Sequence, residues 1–176
     1  MSAGSPRHRL VRPALVVLAF VVVGIGLGVL WAQVVWSPPQ GRISAGTWYP
    51  VGEQALSAET GGTSSYVALA ALGGLVLGLV SAWAATRAEL LVLAAVVVGG
   101  TLAAWLMWQV GTALGPPDPD TLAAADGTRL PGALTVAGAS PFLTLPTVAL
   151  GVLTVALLAL PSAGLDRSAP LGNRSA

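Results

Sequence analysis

The chain predicts an all-α fold, an integral membrane four-helix bundle with both termini cytoplasmic. Three observations lead there. Of its 176 residues 55% are hydrophobic and only 9% are charged, against about 25% charged in soluble domains. The few charges are also clustered. None falls between Arg12 and Arg42, Glu59 and Arg87, Glu89 and Asp118, or Arg129 and Asp166, and each gap can hold the roughly 20 apolar residues that cross a bilayer. Finally, glycine and alanine recur at intervals of four inside these runs, the spacing that lets helices approach closely in lipid.

Residues 1–12 are polar and basic, with Arg7, Arg9 and Arg12, and read as a disordered cytoplasmic tail. His8 is the only histidine and has no partner there for ligation or proton transfer. Pro13 suits a first helical turn, and the first span follows over about 14–36. Its apolar core is longer than the 7–15 residues of a signal peptide, so it reads as an uncleaved anchor. Gly24, Gly26 and Gly28 do not have nucleotide-loop spacing. Gly24 and Gly28 make a small-xxx-small step, with Gly26 on the opposite side, so this span is expected to pack against neighbours on two sides. Trp31 and Trp36 read as interface-belt residues.

Ser37-Pro38-Pro39 stops the helix and opens a loop over 37–65. Its aromatic patch, Thr47-Trp48-Tyr49-Pro50, reads as a short extended piece on the membrane surface or as a binding contact. The second span, about 66–85, carries Ala70, Gly74, Gly78 and Ala82 as one stripe, widened by Gly73. The stripe is expected to form a seam against another helix, most simply the third span. Trp83 marks the far interface.

Thr86-Arg87-Ala88-Glu89 is a tight turn into the third span, about 90–114. At about 100° per residue, Ala95, Gly99, Gly100, Ala103, Ala104 and Gly111 share one side. Thr101, Trp105, Trp108, Gln109 and Thr112 share the other. Gly115-Pro116-Pro117-Asp118-Pro119 ends the helix and opens a second loop over 115–141. In it Asp120 is placed to cap a short helix over 121–125. Asp118, Asp120 and Asp126 lack the spacing and the final glutamate of a calcium loop. Residues 130–140 are expected to lie along the interface or dip inward. The fourth span, about 142–160, has Pro146 in its first turn and ends at Pro161. A polar cytoplasmic tail, 162–176, closes the chain.

Placing both termini inside leaves six arginines in inner segments and two, Arg42 and Arg129, in outer loops. The positive-inside rule favours this threading. All eight basic residues are arginine, and with the abundant Ala, Gly, Val and Pro this resembles the bias of a GC-rich bacterial genome, so a bacterial inner membrane is the expected location. There is no cysteine, which removes disulfides and thiolate metal sites. A net charge of +1 implies no nucleic-acid partner. No charged residue lies inside a span, where ion and proton pathways need one. No catalytic set, metal site or cofactor cradle stands out.

The best candidate site is uncharged. Gln33 and Gln109 each lie about 20 residues, near 30 Å, from the inner face, beside Trp31, Trp36, Trp105 and Trp108. They are expected to share a depth near the outer interface and to bond across helices. The alternative is an outward-facing cleft for a lipid or small ligand.

The chain resembles a family of small four-span actinobacterial membrane proteins, a domain of unknown function. The likeness covers about residues 20–160. It rests on Trp31 followed by Ser37-Pro38-Pro39, the glycine-rich second span ending near Trp83 and Arg87, Gly99-Gly100, and Val110-Gly111 leading to Leu114-Gly115-Pro116. It implies the four-span topology and no activity. The expectation is therefore a non-enzymatic membrane protein in contact with the lipid bilayer and with a membrane-protein partner or further copies of itself. Its role would be that of a subunit or accessory factor of a cell-envelope complex. A transport or lipid-binding component is the second reading.

Overall fold

A computed structural model describes residues 6–52, 55–85 and 89–159. The turn expected at 86–88, residues 1–5 of the first tail and all of the second lie outside these residues. Four helices dominate: α1 (Pro6–Leu30, continued by a π-helical turn over Trp31–Val35), α2 (Ala55–Ala84), α3 (Glu89–Leu114) and α4 (Thr144–Ala159). All four are long and apolar enough to cross a membrane.

The fold is mostly helical but not all-α. Three short strands form an antiparallel sheet at one end of the bundle, in the order β2-β1-β3: β1 (Gln40–Ser44), β2 (Thr47–Pro50) and β3 (Arg129–Pro131). Two helix boundaries also move. Pro6, not Pro13, occupies the first position of α1, so the described part of the basic segment is helical. Helix α2 starts at Ala55 rather than Tyr66, so its early turns fill part of the expected loop. Tertiary contact explains this extension through a Gly- and Ser-rich stretch of low helix propensity. Gly62 lies against the Thr135 backbone, and Thr63 Oγ1 accepts a hydrogen bond from Ala137 N at 2.9 Å.

The helices pair across the chain rather than along it. The most extensive contact is α1 with α3, and the next is α2 with α4. Both pairs are parallel, since contact numbers rise together on the two partners. Gly24 faces Ala103, Gly28 faces Met107 and Val110, and Trp31 faces Gly111. Likewise Gly74 faces Leu145 through Ala149, and Gly78 faces Ala149 and Val152. The stripe on α2 is therefore a seam with α4, not with α3. Consecutive α2 and α3 touch much less. A Cβ at Gly74 or Gly78 would come within 2.7 Å of an α4 carbonyl oxygen, so these positions let backbone meet backbone.

Gly99 and Gly100 face opposite neighbours: Gly99 receives the Phe20 ring and Gly100 receives Pro146. Together they hold α3 between α1 and α4. Gly26 does not serve a second seam, for nothing lies within 4 Å of its Cβ position. The interior is mostly small, with Ala70, Ala95, Ala103, Ala104 and Ala149 buried around the larger Phe20, Trp31, Tyr66 and Met107. Large aliphatic side chains point away instead, among them Leu18, Val22, Leu72, Val80, Val98 and Leu158. That inside-out distribution suits a hydrocarbon solvent, in which close packing and not apolar burial holds helices together. Trp83 is 86% exposed near the end of α2.

Candidate functional site

The features that are neither helix packing nor lipid-facing gather at the sheet end. The β1–β2 hairpin turns through Ala45 and Gly46, with φ of 50° and 77°. Two consecutive positive φ values define the tight turn whose twist matches a hairpin. The hairpin then binds the second loop. Ile43 N donates to Thr128 O at 3.0 Å, and Gly127 N donates back to Ile43 O at 2.8 Å. Gly132 N donates to Pro39 O at 2.8 Å. Trp48 lies over Gly41 and Gly132, where only a residue without a side chain leaves room for its ring, and its indole N–H donates to Leu130 O at 3.0 Å.

The three loop aspartates have structural work. Asp118 accepts from Asp120 N at 3.1 Å and caps a 3-10 turn over Pro119–Thr121. This turn replaces the helix expected over 121–125, because Asp118 rather than Asp120 is the cap. Asp120 accepts from Trp48 N at 2.7 Å, and Asp126 accepts from Gly46 N at 3.4 Å. Among the described residues no three His, Cys, Asp or Glu side chains come together as a metal site would need.

The register shows what Asp120 achieves. In β2, Thr47 and Tyr49 pair with Ser44 and Arg42, and Val51 N donates to Gln40 O. This alternation turns the Trp48 N–H to the free edge. Pro50 has no N–H to offer there. With Trp48 N–H held by Asp120, the β2 edge has no donor left for another strand. Such closure protects edges from unwanted pairing.

Below the sheet sits an aromatic group. Trp31 and Tyr66 meet edge to face at 5.2 Å. Phe142 lies 5.6 Å from Tyr66 and 5.7 Å from Trp108. Trp31 is fully buried, so it is a core residue and not part of an interface belt. Its indole N–H donates to Ser65 Oγ at 2.9 Å, and Ser65 donates on to Gly61 O at 2.6 Å. Tyr66 donates from its hydroxyl to Ala104 O at 2.8 Å. Every buried polar side-chain atom among the described residues has a partner.

No known protein family, curated protein or solved structure matches the chain.

The structure separates the two glutamines. Gln33 Nε2 reaches Leu114 O at 3.5 Å, so Gln33 is level with the last residue of α3. Gln109 lies five residues earlier on α3, about 7.5 Å deeper at 1.5 Å per residue. Among the described residues no hydrogen bond joins the two amides, and both are exposed. The parallel pairing of α1 and α3 causes this, since its offset brings Leu114, not Gln109, beside Gln33. Trp36 is buried, Trp108 is half-buried against Phe142, and Trp105 faces outward.

Among the described residues, clefts open at this end. One, of about 310 Å³, lies between the end of α1 and the early turns of α2, lined by Val35 to Pro39, Gly61 and Ser65. The other, of about 500 Å³, lies at the end of α3, lined by Thr112, Ala113, Gly115 to Asp118 and Ala133 to Thr135. Leu134 is buried beside it, so the apolar 130–140 stretch plugs the bundle end with one side chain. Sequence reasoning missed the Ser65–Tyr66 pair. Its signal was present: a serine and a tyrosine side by side at the head of an apolar run, each needing a hydrogen-bond partner once buried.

Proposed function

We propose that the chain is a non-enzymatic integral protein of a bacterial inner membrane, acting through partners as a subunit or accessory factor of a cell-envelope complex. Both termini are cytoplasmic in this reading, so the sheet end faces outward. The arginine distribution supports that threading, with six arginines inside and two outside.

One observation carries the reading: the two loops at the sheet end are knit into a single platform. Strands from both halves of the chain share a sheet, and Asp120, Asp126 and Trp48 fasten it. Fixing two loops at this cost in conformational freedom is well matched to presenting a defined surface. The packing glycines cannot supply the partner contact. Gly24, Gly28, Gly74, Gly78, Gly99 and Gly100 are all occupied inside the bundle. Because the β2 edge is closed, the partner meets side chains, Tyr49 and Val51 foremost, which are 55% and 53% exposed.

The test is photocrosslinking from residue 49 in native membranes, followed by mass spectrometry. A stoichiometric protein adduct is expected from residue 49 and not from lipid-facing residue 72. Adducts equal at both positions, or none at either, would overturn the reading. A second reading, lipid or small-ligand handling, is favoured by the cleft beside α1.

A further inference from the structure

We propose that Arg42 and Arg129 form a paired cationic site on the exposed face of the sheet, and that the partner docks there through an acidic segment. The inference rests on the partner-docking reading above and names the chemistry of that partner.

The register builds the pair. Ile43 N donates to Thr128 O, and Pro39 O accepts from Gly132 N, so the odd-numbered positions along β1 turn their backbone groups toward β3. Arg42 turns its own toward Tyr49 on β2, in step with Gln40 O accepting from Val51 N. Arg42 and Arg129 lie directly opposite each other. They are therefore a non-hydrogen-bonded pair, the closer kind, with Cα atoms about 4.5 Å apart and both side chains on one face. Tyr49, opposite Arg42 on its other side, shares that face. The row Tyr49–Arg42–Arg129 thus crosses all three strands. Along β1, Gly41 and Ile43 are buried and Gln40, Arg42 and Ser44 are exposed; Tyr49 and Arg129 are exposed with them.

Like charges directly opposite in a sheet repel, and an opposite-charge pair there would stabilise it. The two loops hold five acidic residues, yet the strands set arginine against arginine. Asp118, Asp120 and Asp126 are bonded instead to the backbone N–H groups of Asp120, Trp48 and Gly46. Among the described residues neither guanidinium has an ion pair or a hydrogen bond. Each therefore offers a fork of N–H donors that can grip a carboxylate by parallel bonds. Tyrosine and arginine are also the residue types that carry much of the binding energy where proteins meet. The occupant is a protein segment and not the bilayer. Anionic membranes attract clusters of about four or more basic residues, and these loops carry two arginines against five acids. An extended surface meets the whole acidic end, whereas a short segment laid on the row meets the two arginines first.

Photocrosslinking from residue 49 in native membranes, with sequencing of the crosslinked peptide, tests this in the wild type, in Arg42→Gln/Arg129→Gln and in Arg42→Lys/Arg129→Lys. Both arginines are exposed and the glutamine pair removes a repulsion, so the sheet is expected to persist, with limited proteolysis of residues 115–131 at the wild-type rate. In the wild type the partner peptide is expected to carry aspartate or glutamate within a few residues of the attachment. The glutamine pair is expected to cut the adduct at least about 10-fold, as loss of a dominant contact does, and the lysine pair to cut it less. A wild-type protein adduct undiminished by the glutamine pair would overturn the acidic-segment inference and leave the docking reading standing. So would equal loss in the two variants with the sheet intact. Should the glutamine pair lose the sheet, the wild type still decides: raising salt from about 0.05 M to about 0.5 M is expected to cut the adduct severalfold, and a yield indifferent to salt would overturn the inference. A lipid adduct in place of a protein one, or no adduct in the wild type, would overturn both readings.

Discussion

Gly28→Ala and Gly26→Ala place the same methyl group two residues apart on one helix, and the structure assigns them opposite signs. At Gly28 the new Cβ would lie 2.7 Å from Met107 O and 2.9 Å from the Val110 Cβ. Ordinary contact needs about 3.5 Å, so α1 and α3 must part by roughly 0.7 Å. A gap of that size forfeits a quarter to a half of each contact's attraction along the seam, and overpacking of this kind costs about 1–3 kcal/mol. Replacing glycine within a helix returns about 0.5–1 kcal/mol. The net expectation for Gly28→Ala is a loss of about 1–2 kcal/mol. At Gly26 the Cβ meets nothing within 4 Å, and only the gain of about 0.5–1 kcal/mol remains. The two variants should differ by about 2 kcal/mol, roughly 30-fold in the folding equilibrium. Reversible unfolding in mixed micelles, titrated with a denaturing detergent and followed by circular dichroism, measures both. Shifts of the same sign and size would refute the parallel α1–α3 seam.

Ser65→Ala removes the acceptor of the buried Trp31 N–H and should cost about 1–3 kcal/mol in the same titration, with a change in tryptophan emission. Asp120→Ala frees the Trp48 N–H at the sheet edge. Limited proteolysis within residues 115–131 should become faster, while helix content by circular dichroism stays unchanged. Gln109→Leu should alter stability by less than about 0.5 kcal/mol, because among the described residues no bond uses that amide; a loss of 0.6 kcal/mol or more would point to an interhelical bond.

The four helices were legible because their signal is crude: long uncharged runs and proline stops. The pairing was not. The stripe at Ala70, Gly74, Gly78 and Ala82 announces a close partner, but α3 and α4 both have surfaces that accept it. The choice of α4 depends on three-dimensional offsets that periodicity does not encode. The sheet escaped notice for a related reason. Its strands are three to five residues long, and β3 comes from the other half of the chain, so no local alternation reveals the sheet. Trp31 misled because a tryptophan near a helix end in an apolar run has two homes, the interface and the core. Here Gly111, opposite on α3, supplies the space that draws the ring inward. The glutamines failed as a pair because counting residues from the inner face assumes that helices start level, and the α1–α3 offset shows that they do not.

The partner surface needs the sheet end outside and the segment joining α2 to α3 inside. Since the chain has no cysteine, single cysteines read this directly. Ala45→Cys, at the exposed hairpin turn, and Ala88→Cys, between α2 and α3 in the sequence, should be treated with a membrane-impermeant thiol reagent in intact cells and after permeabilisation. Labelling of residue 45 in intact cells, and of residue 88 only after permeabilisation, is the predicted result. The reverse pattern would contradict the threading.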